Sequence, residues 1–172
     1  MQSDPLKLFI RQGFTESGEK EQAIIKGMLQ QVQDLSQEMY IAPLTDMNAH
    51  NANTFKHRFT EKTGVPFSPA AFRDYRLNKL DKADAFLIIR TGLSESTAFE
   101  IAHNVNNKNV PMFFAVWENA QIKTTLLRDL PNAKYHTFSH PDELKDHLYD
   151  FFIFAQKFKK RGILSGDAMT GS

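Results

Sequence analysis

Ala83-Asp-Ala-Phe-Leu-Ile-Ile89 decides the fold. The run is apolar almost without a break, as expected for a strand covered on both faces. A second run of the same kind follows at Val110-Pro-Met-Phe-Phe-Ala-Val116. The residues between them, Ser96 to Asn107, are spaced as a helix. Strand, helix and strand in this order predict a parallel pair joined by a crossover.

The pattern extends in both directions. Upstream, Lys7-Leu-Phe-Ile10 reads as a first strand and Glu38-Met-Tyr-Ile41 as a second. Between them, Ser17 to Leu35 places Ile24, Ile25, Met28, Leu29 and Val32 on one helical side. Phe55, Phe59 and Val65 suit a short helix and its exit. Pro69 to Asp81 suits another, with Pro69 in its first turn. Downstream, Ile122 to Leu130 is predicted helical and Tyr135-His-Thr-Phe138 a last strand. A final helix from about Pro141 turns Leu144, Leu148, Phe151, Phe152, Ala155 and Phe158 inward. Its basic end, Lys157 to Arg161, is followed by Gly162.

The expected architecture is α/β: one doubly wound domain over residues 1–162, then a flexible tail over 163–172. Its five-stranded, mostly parallel sheet would carry helices on both faces, as in Rossmann-like and flavodoxin-like folds. Ligands of such folds bind beyond the carboxyl ends of the strands, where strand order reverses. The loops Gln12 to Thr15, Pro43 to His50 and Arg90 to Ser96 therefore become the places to seek chemistry.

Composition narrows the chemistry. Twenty-one Lys and Arg oppose 20 Asp and Glu, a formal net charge of +1. That balance gives no global field for a nucleic-acid polymer or an anionic membrane. With no cysteine, disulfides, thiolate metal sites and cysteine catalysis are excluded. The six histidines show no metal-ligand spacing, so no metal is expected. No apolar stretch is long enough to span a bilayer. Met1 to Pro5 lacks the basic start and apolar run of a signal peptide, so the expected location is the cytoplasm.

The loop after the best strand, Arg90-Thr-Gly-Leu-Ser-Glu-Ser-Thr97, runs straight into a helix. Ser94, Ser96 and Thr97 supply hydroxyls there, and the first helical N–H groups lack internal partners. Phosphate or carboxylate suits such a place, although Ser and Thr also favour helix starts for their capping. Glu100 lies just inside. Thr97-Ala-Phe-Glu100 fits a capping box, with Thr97 as N-cap and Glu100 at the third helical position. A second carboxylate, Asp74, stands upstream in Phe72-Arg-Asp-Tyr-Arg76. Paired carboxylates serve glycosidic chemistry, one at the anomeric carbon and one moving the proton. Arg73 and Arg90 are candidates to pair with a phosphate or with neighbouring carboxylates. His103, Trp117 and Glu118 are weaker candidates for the ligand edge.

The run from Asp74 through Ala83-Asp84, Gly92, Ser96-Thr97-Ala-Phe-Glu100 and Val110-Pro-Met-Phe-Phe resembles the nucleoside 2-deoxyribosyltransferase superfamily. Deoxyribosyltransferases and nucleotide N-glycosidases belong to it. The resemblance implies cleavage or transfer of the N-glycosidic bond of a nucleoside or nucleoside 5′-monophosphate, without a cofactor. It implies Glu100 as nucleophile and Asp74 as general acid/base, with Asp84 structural. It further implies that backbone at Gly13 and Gly92 approaches the ligand, that Phe14 stacks on a base, and that Ser94, Ser96 and Thr97 contact the 5′ end. A homodimer or higher homo-oligomer is expected. Ser96 and Ala102 stand where the superfamily carries glycine. The alternatives are a non-catalytic nucleotide-binding module, with Glu100 only a cap, and a TIR-like NAD glycohydrolase, which also uses a Glu at ribose C1.

Overall fold

The computed structural model describes residues 4–13, 18–50 and 53–169, with 164–169 described by their helical backbone. Five strands form one wholly parallel sheet: β1 (Leu6–Gln12), β2 (Ile41–Pro43), β3 (Ala85–Arg90), β4 (Met112–Trp117) and β5 (Ala133–Phe138). Their order is β2-β1-β3-β4-β5. The helices are α1 (Glu19–Met39), α2 (Phe55–Thr63), α3 (Pro69–Asp81), α4 (Glu95–Asn106) and α5 (Lys145–Met169). The doubly wound α/β fold is the expected one. No helix among the described residues is long and apolar enough to cross a membrane.

The period of two in each strand divides the core. Leu8 and Ile10 of β1, Leu87 and Ile89 of β3, and Phe113 and Ala115 of β4 face one way. They pack on Ile25, Met28, Val32 and Leu35 of α1 and on Leu148, Phe151 and Phe152 of α5. Phe9, Phe86, Ile88, Met112 and Phe114 face the other way, toward Leu80 of α3 and Ile101 of α4. Gly27 lets α1 approach the turn before α5: a Cβ there would lie 2.6 Å from Pro141 Cγ.

Three local expectations are corrected. Glu38 and Met39 belong to α1 rather than to a strand. Val32, Leu35 and Met39 continue the buried helical stripe, and Tyr40 closes the helix in a left-handed conformation (φ 58°), its N–H donating to Ser36 O. The stretch Ile122 to Leu130 is not an α-helix; it holds only a single 3₁₀ turn, Thr125–Leu127. Tyr135 takes its backbone groups, donating to Leu127 O at 2.6 Å and accepting from Leu130 N at 3.3 Å. Asp129 adopts φ 50°, and the proline after Leu130 disfavours helical backbone before it. Finally, α5 does not stop at Gly162 but continues to Met169.

The chain passes from β1 to β2 on one side and from β2 crosses back to β3 on the other, so strand order reverses between β1 and β3. The carboxyl ends there carry Arg11 and Gln12 on one strand and Arg90 on the other.

Candidate active site

Strand β1 presents Arg11 on the α3–α4 side of the sheet, at a position where its neighbours would demand an apolar residue. Arg11 is 4% exposed. It donates to Thr97 Oγ1 at 3.1 Å, to Glu100 Oε1 at 2.7 Å and to Ser94 Oγ at 3.4 Å. Helix α3 contributes Arg76, four residues after Phe72 and four before Leu80, on the same buried stripe. Its guanidinium lies 4.3 Å over the ring of Phe9, a cation–π contact. It donates to Glu100 Oε1 at 3.1 and 3.3 Å and to Oε2 at 2.9 Å. Burial pulls the Arg11 guanidinium below its ordinary value, Glu100 opposes that shift, and Arg76 adds to it.

The capping reading of Glu100 is corrected by this geometry. Ser94 is the N-cap of α4, and its Oγ accepts from Thr97 N at 3.2 Å. Thr97 therefore holds the third helical position, and Glu100 stands one turn deeper. The residue is 4% exposed, with its carboxylate turned toward the two guanidinium groups. A buried carboxylate is tolerated only when paired and hydrogen-bonded; here two strand and helix elements supply the pairing.

Glu100 lines a cleft of about 470 Å³ together with Arg11 and Arg76. Phe55, Phe67, Phe72 and Phe99 form its apolar walls, and the exposed side chains of Arg73, Glu95 and Ser96 stand at its rim. The walls are built by edge-on aromatic packing. Phe55 meets Phe67 and Phe72 at 5.5 Å, and Phe59 meets Phe72 and Tyr75 at 5.6 Å. These contacts fasten α2 to α3. Arg73 and Glu95 have no hydrogen-bonding or ionic partner among the described residues.

A polar loop between β2 and α2 borders the aromatic wall. Gln12 anchors it, donating to Asn48 O at 2.8 Å and accepting from His50 N at 2.9 Å. His50 Nε2 and Asp46 Oδ2 are 2.8 Å apart. Burial pushes the Asp46 carboxyl up, but hydrogen bonds from Asn48 and His50 and the charge of Lys62 outweigh it and bring it down to about 2. A small cavity of about 50 Å³ joins this pair to Phe55, Phe59 and Arg76.

Of the residues read from sequence, Glu100, Thr97, Ser94 and Ser96 come together at the start of α4. Gly13 sits beside Thr91, where an added Cβ would meet Thr91 Oγ1 at 3.4 Å. Gly92 lies in the bend between β3 and α4. Phe14 lies outside the described residues. Asp74 is exposed on α3 and is not among the residues lining the cleft. Its neighbour two positions on, Arg76, takes the inward place, because residues two apart on a helix face nearly opposite ways. Asp84 accepts from Lys7 N at 2.9 Å and pairs with Lys159 at 2.9 Å, tying β1 and α5 to the start of β3. His103 pairs with Asp81 at 2.7 Å, and Trp117 packs into the α1–α5 core. Arg11, Arg76 and the Asp46–His50 pair were not singled out in the sequence. The signal for the arginines was a charge placed on an apolar stripe, where it demands a partner.

No family model and no curated protein matches the sequence. Among solved structures, the Clostridium botulinum CMP N-glycosidase BcmB superposes with a TM-score of 0.52 at 16% identity, over 84% of this chain and 98% of that one. The doubly wound fold expected from the sequence is thus also the fold of that solved structure.

Proposed function

We propose that the chain cleaves or exchanges the N-glycosidic bond of a nucleoside 5′-monophosphate, with Glu100 as the group facing the anomeric carbon. The observation that carries this reading is the placement of Glu100. It is a buried carboxylate without a capping role, at the point where strand order reverses, lining a cleft in the fold of a CMP N-glycosidase. Oε1 accepts from both arginines, whereas Oε2 accepts one bond, from Arg76. Oε2 is therefore the oxygen with an electron pair to offer.

In this reading Oε2 bonds to C1′ as the C–N bond breaks, and the bonding pair leaves with the base. The base takes a proton as it departs. Glu95 is the carboxylate that shares the cleft with Glu100; we assign it the proton transfer that the resemblance implied for Asp74. Water then attacks C1′ while the Oε2–C1′ bond breaks and returns its pair to Glu100. Glu95, left ionised by the first step, takes the water's proton, and the sugar is released. A second base attacking in place of water gives transfer. The phenylalanine walls suit a planar base held by stacking and burial.

The test is a screen of nucleosides and their 5′-monophosphates, cytidine and CMP among them, for release of free base with and without an acceptor base. Release by the native protein, its loss in Glu100→Gln and its retention in Asp74→Asn support the reading. Absence of release across the panel sinks it.

A second reading has one observation in its favour. Four guanidinium hydrogen bonds on Glu100, with Asp74 outside the cleft, also suit a module that binds a nucleotide without turning it over. It is the reading that remains if monophosphates bind and no base is released.

A further inference from the structure

Arg90 is a buried cation that this chemistry does not use. It closes β3 and is 7% exposed. Its Nε donates to Ala120 O at 2.7 Å. Its two terminal nitrogens have no partner among the described residues, and no carboxylate lies within ion-pair distance there. Neither nitrogen is a sealed, orphaned buried atom, as Gln22 Nε2 is. The pair is thus confined but reachable.

Its place is fixed by the sheet. Phe86 and Ile88 of β3 face α3 and α4, and alternation puts Arg90 on that same face. Arg11 stands on that face of the adjacent strand, in register with Ile88. Arg90 lies two residues farther toward the carboxyl edge. Strand rise and strand spacing separate the two Cα atoms by about 8 Å. Arg90 thus lies outward of Arg11 along the same edge, beyond the residues that line the cleft.

Charge points the same way. Among the described residues the buried formal charges are Arg11, Arg76 and Arg90 against Glu100 alone. Two positive charges are left in excess at one edge of the sheet. Burying a charge without a counter-charge is costly, and burial pulls the Arg90 guanidinium below its ordinary value. A carboxylate ligand would neutralise one of the two. A phosphate monoester carries about −1.5 to −2 at pH 7 and matches the whole excess. The planar fork of a guanidinium also suits two parallel bonds to phosphate oxygens.

We infer that the terminal nitrogens of Arg90 hold the phosphate monoester of the ligand. The inference rests on reading the cleft as a nucleotide site. It moves the phosphate anchor away from Ser94, whose Oγ already accepts from Thr97 and Arg11.

The test compares affinities for CMP, cytidine and inorganic phosphate in the native protein, Arg90→Gln and Arg90→Lys, with folding checked by circular dichroism. Native protein is expected to bind CMP more tightly than cytidine. Phosphate should raise its melting temperature relative to chloride at equal ionic strength. Arg90→Gln should lose about ten- to hundredfold in CMP affinity, the scale of a charged hydrogen-bonded pair, with cytidine affinity kept. Arg90→Lys should recover part of the loss. Undiminished preference for CMP in folded Arg90→Gln overturns the assignment. If that variant does not fold, the native protein decides: no response to phosphate and no preference for CMP also overturns it. Phosphate-dependent binding without release of base counts against the glycosidase reading and leaves the anchor standing.

Discussion

The two faces of one sheet are put to different uses. On the α1–α5 side, strand residues from Leu8 to Phe113 meet helix residues from Ile25 to Phe152 in an apolar contact. On the α3–α4 side the same strands begin as apolar, with Phe9, Phe86 and Ile88, and end in Arg11 and Arg90. Both faces come from one alternating pattern. Among the described residues, buried charge enters only at the carboxyl edge of one of them, where Glu100 pairs with Arg11 and Arg76. One face supplies stability that the chemistry does not touch. The other gives up some apolar burial to hold charge in place.

Substitution on the two faces should cost similar stability and differ in activity. Glu100→Ala leaves two buried guanidinium groups facing each other and is expected to cost about 3–5 kcal/mol, the scale of a broken buried pair. Phe152→Ala empties space in the α1–α5 core and is expected to cost about the same, 3–5 kcal/mol. Urea denaturation should therefore not separate the two variants. Activity should: the folded fraction of Phe152→Ala keeps its turnover, whereas Glu100→Ala has none.

Acid should act on the two sides in separate windows. Asp46, beside the cleft, has a carboxyl lowered from 3.8 to about 2. The folded state holds this proton less tightly than the unfolded chain. Its contribution, about 2 kcal/mol, is present above pH 4 and is lost as pH falls toward 2. Asp46→Asn should flatten melting temperature against pH in that range. On the α1–α5 side, His136 stacks on Phe113 at 5.1 Å and on His147 at 4.0 Å. Burial lowers its pKa, with His147 and Lys134 adding to the effect. The unfolded chain then takes up the proton first, so stability falls as pH drops below about 6.5. This effect is the smallest, and His136→Phe should remove it.

The contrast also explains what could be read in advance. β3 and β4 are legible because both of their faces are covered, which leaves long apolar runs. The start of β2 is hidden in the sequence because Glu38-Met-Tyr-Ile41 alternates like a strand while Met39 completes the helical stripe of α1. The stretch Ile122 to Leu130 has helical spacing, but Tyr135, 5–8 residues away in sequence, claims its backbone. Glu100 was legible from its loop and motif. Its partners were not, because each sits in an apolar pattern of its own and only tertiary contact joins them. Asp74 stands out in the sequence for its chemistry; two positions away, Arg76 is the residue that lines the cleft.

The central claim is that Glu100 serves bond cleavage rather than only the pairing of Arg11 and Arg76. Release of cytosine from CMP, followed together with CMP binding in the native protein and in Glu100→Gln, tests it most directly. The native protein is expected to release cytosine, and the variant to bind CMP without release. Equal release by both, or CMP binding by the native protein with no base released, would contradict it.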